Sequence, residues 1–389
     1  MQNTLFENTE IAFKLKTDSE LERAYFLFKM IANQPLVRIG TAATNFALKA
    51  NLPVEGLIRA TVFDHFCGGI NEEDCLPVID KLYHLGVSTG LDYSVEGKDT
   101  EAQFDNALAK VLKTINFADK KAAMPLAIFK PSGFGRFYLF QKKSEGNLFT
   151  EQEQKEWDRV VQRFHSVCKL CKEREVFVLI DAEESWMQAA ADELVEEMMR
   201  HYNQEKVVVY NTLQTYRWDR LEYLKTLHQR AKSKNFKVGM KIVRGAYMEK
   251  ERERAQVKGY PSPICETKAA TDENFNTCMI YMLENINDFS LFIGTHNEES
   301  CYLALNFMKK HQVRNNHPAI WFGQLYGMSD HITFNLANAG YNVAKYMPFG
   351  PVKDVMPYLI RRAEENTSVA GQTTRELDLL RKERKRRKV

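Results

Sequence analysis

Short apolar runs alternate with longer amphipathic stretches from about residue 86 to residue 366. Each run has the composition of a strand, and the stretch after it has apolar residues at helical spacing. The eight runs begin at Val87, Pro125, Val176, Val207, Val238, Phe289, Ile320 and Asn342. This alternation predicts an α/β fold with a parallel sheet and crossover helices, and a count of eight favours a closed (β/α)8 TIM-type barrel.

The chain on either side of the repeat has a different pattern. Residues 1–80 show helical spacing, with a helix start at Ser19, and they predict an N-terminal helical arm that packs on the main domain. Residues 81–370 are assigned to the barrel, and residues 371–389 to a basic C-terminal tail. The segment Arg381–Lys388 carries seven positive and one negative side chains, so the rest of a chain of net charge +3 is near −3.

The excess of positive over negative charge is therefore confined to the tail, and no nucleic-acid partner is expected for the barrel. The tail itself is interpreted as a solvated, disordered end or as a weak contact with anionic lipid. The chain contains no apolar run of membrane-span length, and its start lacks a basic region followed by an apolar stretch. An intracellular, cytoplasmic location is expected, with peripheral membrane association left open.

A chain of 389 residues with 44% hydrophobic content can form one large domain or two ordinary ones. Its seven cysteines are odd in number and dispersed, which indicates a reducing compartment. Cys168 and Cys171 form a C-x-x-C sequence inside a predicted amphipathic helix. Without a second pair or a neighbouring histidine, both are interpreted as ordinary helix residues.

Polar side chains gather at the predicted carboxyl ends of the strands, where barrel enzymes carry their chemistry. They are Glu96, Lys130, Asp181 with Glu183 and Glu184, Gln214, Lys241 with Arg244, Thr295-His296-Asn297, Gln324 and Tyr346. The set is rich in cations and donors, which suits an anionic cofactor together with a small carboxylate substrate. A lone histidine among them predicts no metal site, and the acidic segment is interpreted as an anchor for lysine or arginine neighbours.

One later helix carries paired arginines. Tyr358, Arg361, Arg362 and Glu365 share one side of it, and adjacent guanidiniums can cradle a carboxylate or phosphate. The alternative is a solvated face on which Glu365 pairs with an arginine. The chain has no G-x-G-x-x-G after a strand, no P-loop and no H-E-x-x-H, so a Rossmann site, a P-loop site and a zincin are not expected.

Five segments, taken together and in order, resemble those of proline dehydrogenase, the FAD enzyme that oxidises L-proline to Δ1-pyrroline-5-carboxylate. They are Asp181–Glu184, Lys241–Tyr247, Gly294–Asn297, Gln324–Met328 and Tyr346–Asn366. The resemblance covers roughly residues 86 to 370, and the Tyr-Leu-Ile-Arg-Arg sequence within the last segment is its most specific part. It points to the stand-alone form of the enzyme, since no aldehyde dehydrogenase module is present in this chain.

The resemblance implies a set of substrate-binding and catalytic residues. They are Lys130, Asp181, Tyr346, Tyr358, Arg361, Arg362 and Glu96. The two arginines would hold the proline carboxylate with help from the lysine, which the aspartate would orient. The two tyrosines would line the pyrrolidine ring, and the glutamate would pair with Arg361 as a gate.

The resemblance also implies a set of FAD-binding residues. They are Gln214, Lys241, Arg244, Gly245, Ala246, Tyr247, Thr295, His296, Asn297, Arg362 and Glu365. Lys241 departs from the arginine that some members carry at this place, which leaves its contact with the flavin open. Electrons would leave through a quinone, and a pyrroline-5-carboxylate dehydrogenase is the partner that would take the product.

Two other classes of function remain open at this point. A class I aldolase-type barrel would use Lys130 or Lys241 as a Schiff-base nucleophile. A non-enzymatic barrel that binds nucleic acid would depend on the basic tail alone.

Overall fold

Eight strands in the described part of the chain pair in sequence order and close into a barrel, and the register pairs are parallel. The computed structural model describes residues 4–50, 53–93, 99–119, 121–368 and 372–389, apart from some side chains within 34–60 and 363–372. The strands are β1 (Val87–Tyr93), β2 (Leu126–Phe129), β3 (Phe177–Ile180), β4 (Val209–Gln214), β5 (Val238–Val243), β6 (Phe289–Gly294), β7 (Ile320–Leu325) and β8 (Val343–Phe349). The predicted (β/α)8 fold is confirmed.

Helices connect the strands and form the flanking regions. They are α1 (Thr9–Ala12), α2 (Asp18–Ile31), α3 (Gln34–Lys49), α4 (Glu55–Ile58), α5 (Asp64–Phe66), α6 (Glu72–Tyr83), α7 (Glu101–Ala118), α8 (Phe137–Ser144), α9 (Glu151–Glu173), α10 (Ser185–Tyr202), α11 (Arg220–Lys234), α12 (Met248–Lys258), α13 (Lys268–Glu284), α14 (Glu298–Lys310), α15 (Asp330–Asn338), α16 (Val352–Ser368) and α17 (Gln372–Arg387). Among the helices described, no segment combines the length and the apolar character that a membrane crossing requires.

Capping residues set where several helices begin. The Thr150 side chain accepts a hydrogen bond from the backbone N–H of Glu153, and the Glu153 carboxylate accepts one from the backbone N–H of Thr150. Each side chain thus satisfies one backbone N–H at the start of α9. Thr100 and Gln103 make the same reciprocal pair at α7. Asn297 caps α14 by accepting from a backbone N–H three residues later. The cap of α14 fixes the start of that helix directly after the loop that leaves β6.

The chain divides into two compact units, Met1–Val95 with Gln324–Val389, and Glu96–Gly323. The second unit contains β2 to β6, most of β7 and the helices α7 to α14. Its core includes Phe129, which stacks on Phe134 with ring centroids 4.6 Å apart and meets the edge of Phe164. Burial on both faces is expected of parallel strands covered by helices, and all six residues of β4 are buried.

The first unit joins the N-terminal helices to the end of the chain. Strands β1 and β8 pair in parallel, with Val87 opposite Val343 and Tyr93 opposite Phe349. Helix α2 packs on α17, on α3 and on α16. The predicted division at residue 80 falls inside α6, and the assignment of residues 1–80 as a separate arm stays a prediction.

Helix α17 corrects one expectation from the sequence, because the tail is an ordered helix whose apolar residues Leu377, Leu379 and Leu380 are buried. Its charges are also paired: Arg384 binds Glu22 through two hydrogen bonds. The interpretation as a disordered, solvated end was wrong. It rested on the basic residues alone, whereas their acidic partners lie near the start of the chain.

Further ion pairs of α17 follow the same pattern. Lys382 contacts Glu7 at 3.2 Å, and Arg387 contacts both Asp18 at 3.1 Å and the fully buried Glu383 at 2.7 Å. These pairs neutralise much of the charge that a contact with anionic lipid would require.

All seven cysteines are buried thiols. Cys168 and Cys171 lie within α9, and burial raises the pKa of both thiols. Both are therefore confirmed as ordinary helix residues.

Candidate active site

In the second unit, Asp181 lies between two lysines. Asp181 follows β3, Lys130 follows β2 and Lys241 lies within β5. Asp181 Oδ2 is 3.7 Å from Lys130 Nζ, and Lys241 Nζ donates a hydrogen bond to Asp181 Oδ1. The side chains are 21% exposed for Lys130, 15% for Asp181 and 8% for Lys241. Two ammonium groups share one carboxylate, so the cluster has one net positive charge and suits an anion.

The two glutamates after Asp181 have structural partners. Glu183 accepts hydrogen bonds from the Ser132 N–H at 2.9 Å and from Ser132 Oγ at 2.6 Å. Burial raises the pKa of Glu183 to about 7 despite these bonds, which favour its ionised form. Glu184 accepts a hydrogen bond from Lys250. The interpretation of the acidic segment as an anchor for basic neighbours is confirmed for Asp181 and Glu184.

Gln214 lies at the end of β4 and is buried. Its Nε2 donates a hydrogen bond of 2.8 Å to the backbone carbonyl of Glu183. This bond connects the end of β4 to the loop after β3, so Gln214 also supports the segment that carries Asp181.

Arg244 leaves β5 and is held by three side chains. Its Nε donates to Asp272 Oδ1 at 2.6 Å, Nη1 donates to Thr295 Oγ1 at 2.9 Å and Nη2 donates to Ser300 Oγ at 3.1 Å. The guanidinium also lies 4.5 Å from the centroid of the Phe275 ring. The structure thus brings together Arg244 and Thr295, which both belong to the predicted set of FAD-binding residues.

The turn after Arg244 leaves little room for a side chain. Gly245 has a φ of +142°, and a Cβ built on it would lie 2.5 Å from the Tyr216 ring. The backbone N–H of Tyr216 donates to the Arg244 carbonyl at 2.7 Å. Ala246 is exposed and Tyr247 is the N-cap residue of α12. Glycine is required here by both the dihedral angle and the contact.

The loop after β6 leads directly into α14. Thr295 Oγ1 accepts from the Asn297 N–H at 3.1 Å, and Asn297 Oδ1 accepts from the Ser300 N–H at 2.8 Å. Thr295 is buried, whereas His296 and Asn297 are half-buried. The N-terminus of this helix of 13 residues lies beside these side chains, and helix N-termini attract anions.

The first unit contains the arginine pair. Arg361 and Arg362 lie on α16 as predicted; Arg361 is half-buried and Arg362 is 7% exposed. The Arg362 guanidinium lies 5.1 Å from the centroid of the Tyr358 ring, one turn earlier. Glu365 is on the same helix, and its side chain lies outside the described residues.

Two further predicted residues of this unit, Tyr346 and Gln324, lie within strands, whereas Glu96 lies outside the described residues. Tyr346 is half-buried and lies in the middle of β8, so its predicted position at the carboxyl end of the strand was wrong. The predicted run ended at Tyr346, whereas the strand continues for three more residues to Phe349. Gln324 is buried and its Oε1 accepts a hydrogen bond of 2.9 Å from Thr333 Oγ1. Glu96 lies outside the described residues, so its predicted pairing with Arg361 stays a prediction.

Sequence reasoning missed the side chains that hold the candidate residues in place. Asp272 and Ser300 bind Arg244, and Ser132 binds Glu183. All three lie on helices or in a turn without a recognisable motif. Only Ser300 had a sequence signal, because it follows the Asn297 cap by three residues.

Comparison with known proteins identifies the family. The family model described as proline dehydrogenase matches residues 75–375. The carbapenem antibiotics biosynthesis protein CarD of Pectobacterium carotovorum is 36% identical over 364 residues, which cover 93% of this chain and 94% of that protein. The mitochondrial proline dehydrogenase 1 of Dictyostelium discoideum is 32% identical, over 99% of this chain and 75% of its own length.

A solved structure has the same fold. Proline utilization A from Bdellovibrio bacteriovorus superposes with a TM-score of 0.71 at 22% identity, over 95% of this chain and 37% of the solved chain. At this identity the likeness supports the fold alone, and this chain spans just over a third of the solved one. From its match to the family model and its similarity to curated relatives, the chain belongs to the proline dehydrogenase family, and oxidation of proline is its reaction.

Proposed function

We propose that this chain oxidises L-proline to Δ1-pyrroline-5-carboxylate with bound FAD as hydride acceptor, and that a quinone takes the electrons. The observation that carries the proposal is Asp181 between Lys130 and Lys241, since this cluster offers a fixed positive charge at the carboxyl ends of strands. Arg361 and Arg362 are assigned to the proline carboxylate by family resemblance, and both lie on α16.

The residues of the second unit suit FAD. A diphosphate requires cationic and N–H donors beside a backbone without bulky side chains. Gly245 supplies such a backbone, and Arg244 is a cation held in place by Asp272. Two helices, α12 and α14, begin shortly after β5 and β6. In a (β/α)8 barrel such helices begin on the side of the carboxyl ends of the strands, where their N-terminal N–H groups are available to an anion. Thr295 and Asn297 add polar side chains, so the donor set fits the cofactor that the family generally uses.

The protein's own residues act mainly by position and charge. FAD, when bound, accepts the hydride from the ring carbon of the substrate. Lys130 would attract the proline carboxylate, and its contact with Asp181 limits the conformations of the long side chain before substrate binds. Glu183, with a pKa near 7, is engaged by Ser132 and serves to hold the loop rather than to take the amine proton.

The alternative of a Schiff-base lysine has less support. Such a lysine must react as a neutral amine. Both candidates, Lys130 and Lys241, are instead engaged in ion pairs with the carboxylate of Asp181, so neither nitrogen is positioned to attack a carbonyl group.

The destination of the electrons and of the product, and the location of the protein, belong to the same proposal. We assign a quinone as acceptor, peripheral association with a membrane for access to it, and a pyrroline-5-carboxylate dehydrogenase as consumer of the product. The solved structure at 22% identity is that of a protein named proline utilization A, and the Dictyostelium relative is named mitochondrial proline dehydrogenase 1. The cytoplasmic location of this chain stays a prediction.

The visible spectrum of the purified chain tests the proposal. We expect flavin absorbance that denaturation releases, that anaerobic L-proline bleaches and that a soluble quinone restores. A colourless protein that cannot be reconstituted with FAD would overturn it. Trapping of a keto acid by borohydride on the colourless protein would select the aldolase alternative instead.

A glycine variant tests the cofactor assignment separately. Gly245→Ala should lower FAD occupancy, because the new Cβ would lie 2.5 Å from the Tyr216 ring. Gly259→Ala is the matched control, since Gly259 also has a positive φ, of +71°, but a Cβ there has no atom within 4 Å. Equal flavin content in the two variants would remove the Gly245 turn from the FAD site.

A further inference from the structure

Three potential metal ligands meet on the outer helices of the second unit. His165 projects from α9, and Glu197 and His201 project from α10. Their ligand atoms all lie within 4.8 Å of one another. Glu197 and His201 are four residues apart and so lie on one face of their helix. None of the three belongs to the candidate active site.

A neighbouring tyrosine orients the imidazole from α9. The Tyr202 hydroxyl lies 3.0 Å from His165 Nδ1, and His165 Nε2 lies 3.9 Å from Glu197 Oε1. The rings of His165 and His201 have centroids 5.2 Å apart at an angle of 68°. Metal-bound histidines commonly use their second nitrogen for such a hydrogen bond, which fixes the ring and its tautomer.

We propose that His165, Glu197 and His201 bind one divalent transition-metal ion of borderline softness, with Zn²⁺ as the representative ion. Two imidazoles and a carboxylate are ligands that Zn²⁺ accepts, and a water would complete four-coordination. Mg²⁺ and Ca²⁺ prefer oxygen ligands and should not compete. The sequence predicted no metal site, because these ligands come from two different helices that residue spacing alone does not bring together.

The position of the site indicates a structural role. Helix α10 begins at Ser185, shortly after Asp181, and Glu197 and His201 lie in its last two turns. At 1.5 Å per residue they are roughly 18 to 24 Å along the helix from its start. The ion would join α9 to α10 and stabilise the fold, without contact with the candidate active site.

Zinc titration of the full chain without a polyhistidine tag tests the proposal. We expect calorimetry to show one Zn²⁺ bound per chain, and thermal unfolding to shift upward with ZnCl2 but not with MgCl2. The rate of proline oxidation should stay unchanged. His201→Ala, at an exposed position, should lower zinc affinity about tenfold or more. His311→Ala is the control, because His311 is also exposed and lies outside the cluster.

Three outcomes would overturn the proposal. The first is the absence of stoichiometric zinc binding, and the second is unchanged affinity in both His201→Ala and His165→Ala. The third is inhibition of the enzyme by zinc without a shift in the unfolding temperature, which would place the ion elsewhere.

Discussion

Replacing Asp181 by asparagine tests how the charged cluster acts on substrate. The substitution keeps the size of the side chain but removes the negative charge between Lys130 and Lys241. Two effects oppose each other. The cluster gains positive charge, which would attract the proline carboxylate more strongly, but Lys130 loses the partner that orients it.

The loss of orientation should dominate. At 3.7 Å and an effective dielectric constant of 20, the contact of Lys130 with Asp181 represents about 4 to 5 kcal/mol of attraction before desolvation is subtracted. In the variant the two ammonium groups repel each other instead. Lys130 is 21% exposed, so it can turn towards solvent, and water screens part of the effect. A net cost of about 2 to 3 kcal/mol follows, or roughly 30- to 150-fold in kcat/KM.

Steady-state kinetics with proline measure this loss in Asp181→Asn, Lys130→Met and the double variant. Because the aspartate acts through the lysine, Asp181→Asn should have little further effect once Lys130 is replaced. Glu184→Gln is the matched control on the same loop. Glu184 binds Lys250, which is 61% exposed, so this change should leave kcat/KM within about threefold.

The proposed role of Asp181 would be refuted by either of two results. One is an Asp181→Asn enzyme that retains kcat/KM within about threefold while it binds flavin normally. The other is an equal loss from Asp181→Asn with and without Lys130, since additive effects mean that the two residues act independently.

Three further predictions concern the arginine pair, substrate specificity and pH. Arg361→Met and Arg362→Met should each lower kcat/KM for proline, by a factor that corresponds to a loss of about 2 to 4 kcal/mol in transition-state stabilisation, while flavin absorbance is retained. Near-normal kinetics in both variants would show that the two arginines do not bind the carboxylate. The unmodified enzyme should prefer proline over trans-4-hydroxyproline by about tenfold or more, because the Tyr346 ring would offer the added hydroxyl neither space nor a partner; Tyr346→Ser should narrow that preference. Burial raises the pKa of Glu183 to about 7, above its usual 4.5. As pH rises, the carboxyl group therefore ionises in the unfolded chain before it ionises in the folded protein. The free energy of unfolding should fall between these two pH values, by roughly 3 kcal/mol at most. Urea unfolding at several pH values should show this slope flattened in Glu183→Gln, and a slope that the substitution leaves unchanged would assign it to other groups.

The apolar pattern predicted the eight strands but not all of their ends. Strand β4 begins at Val209, two residues later than predicted, and continues through Thr212 to Gln214. The predicted run covered residues 207–210 and stopped before the polar residue Asn211. In the structure Thr212 Oγ1 donates a hydrogen bond of 2.7 Å to the carbonyl of Ile180, so a polar side chain is accommodated inside the sheet. Such compensation depends on a neighbouring strand that periodicity does not identify.

The sequence by itself determined the barrel, the strand-end position of Lys130 and Asp181, and the arginines of α16. These features follow from local alternation of apolar and polar residues and from a contiguous motif, both of which can be recognised without knowing which segments meet. The order of the strands then follows, because consecutive parallel strands joined by a short crossover usually lie next to each other in the sheet.

Only the tertiary structure decided which charges neutralise one another. Lys241 shares Asp181 with Lys130, Arg244 is held by Asp272, and Arg384 of the supposed tail binds Glu22. Partners in these pairs are separated by 28 to 362 positions along the chain. An electrostatic contact depends on distance in space and on exposure to water, and neither is encoded by spacing along the chain.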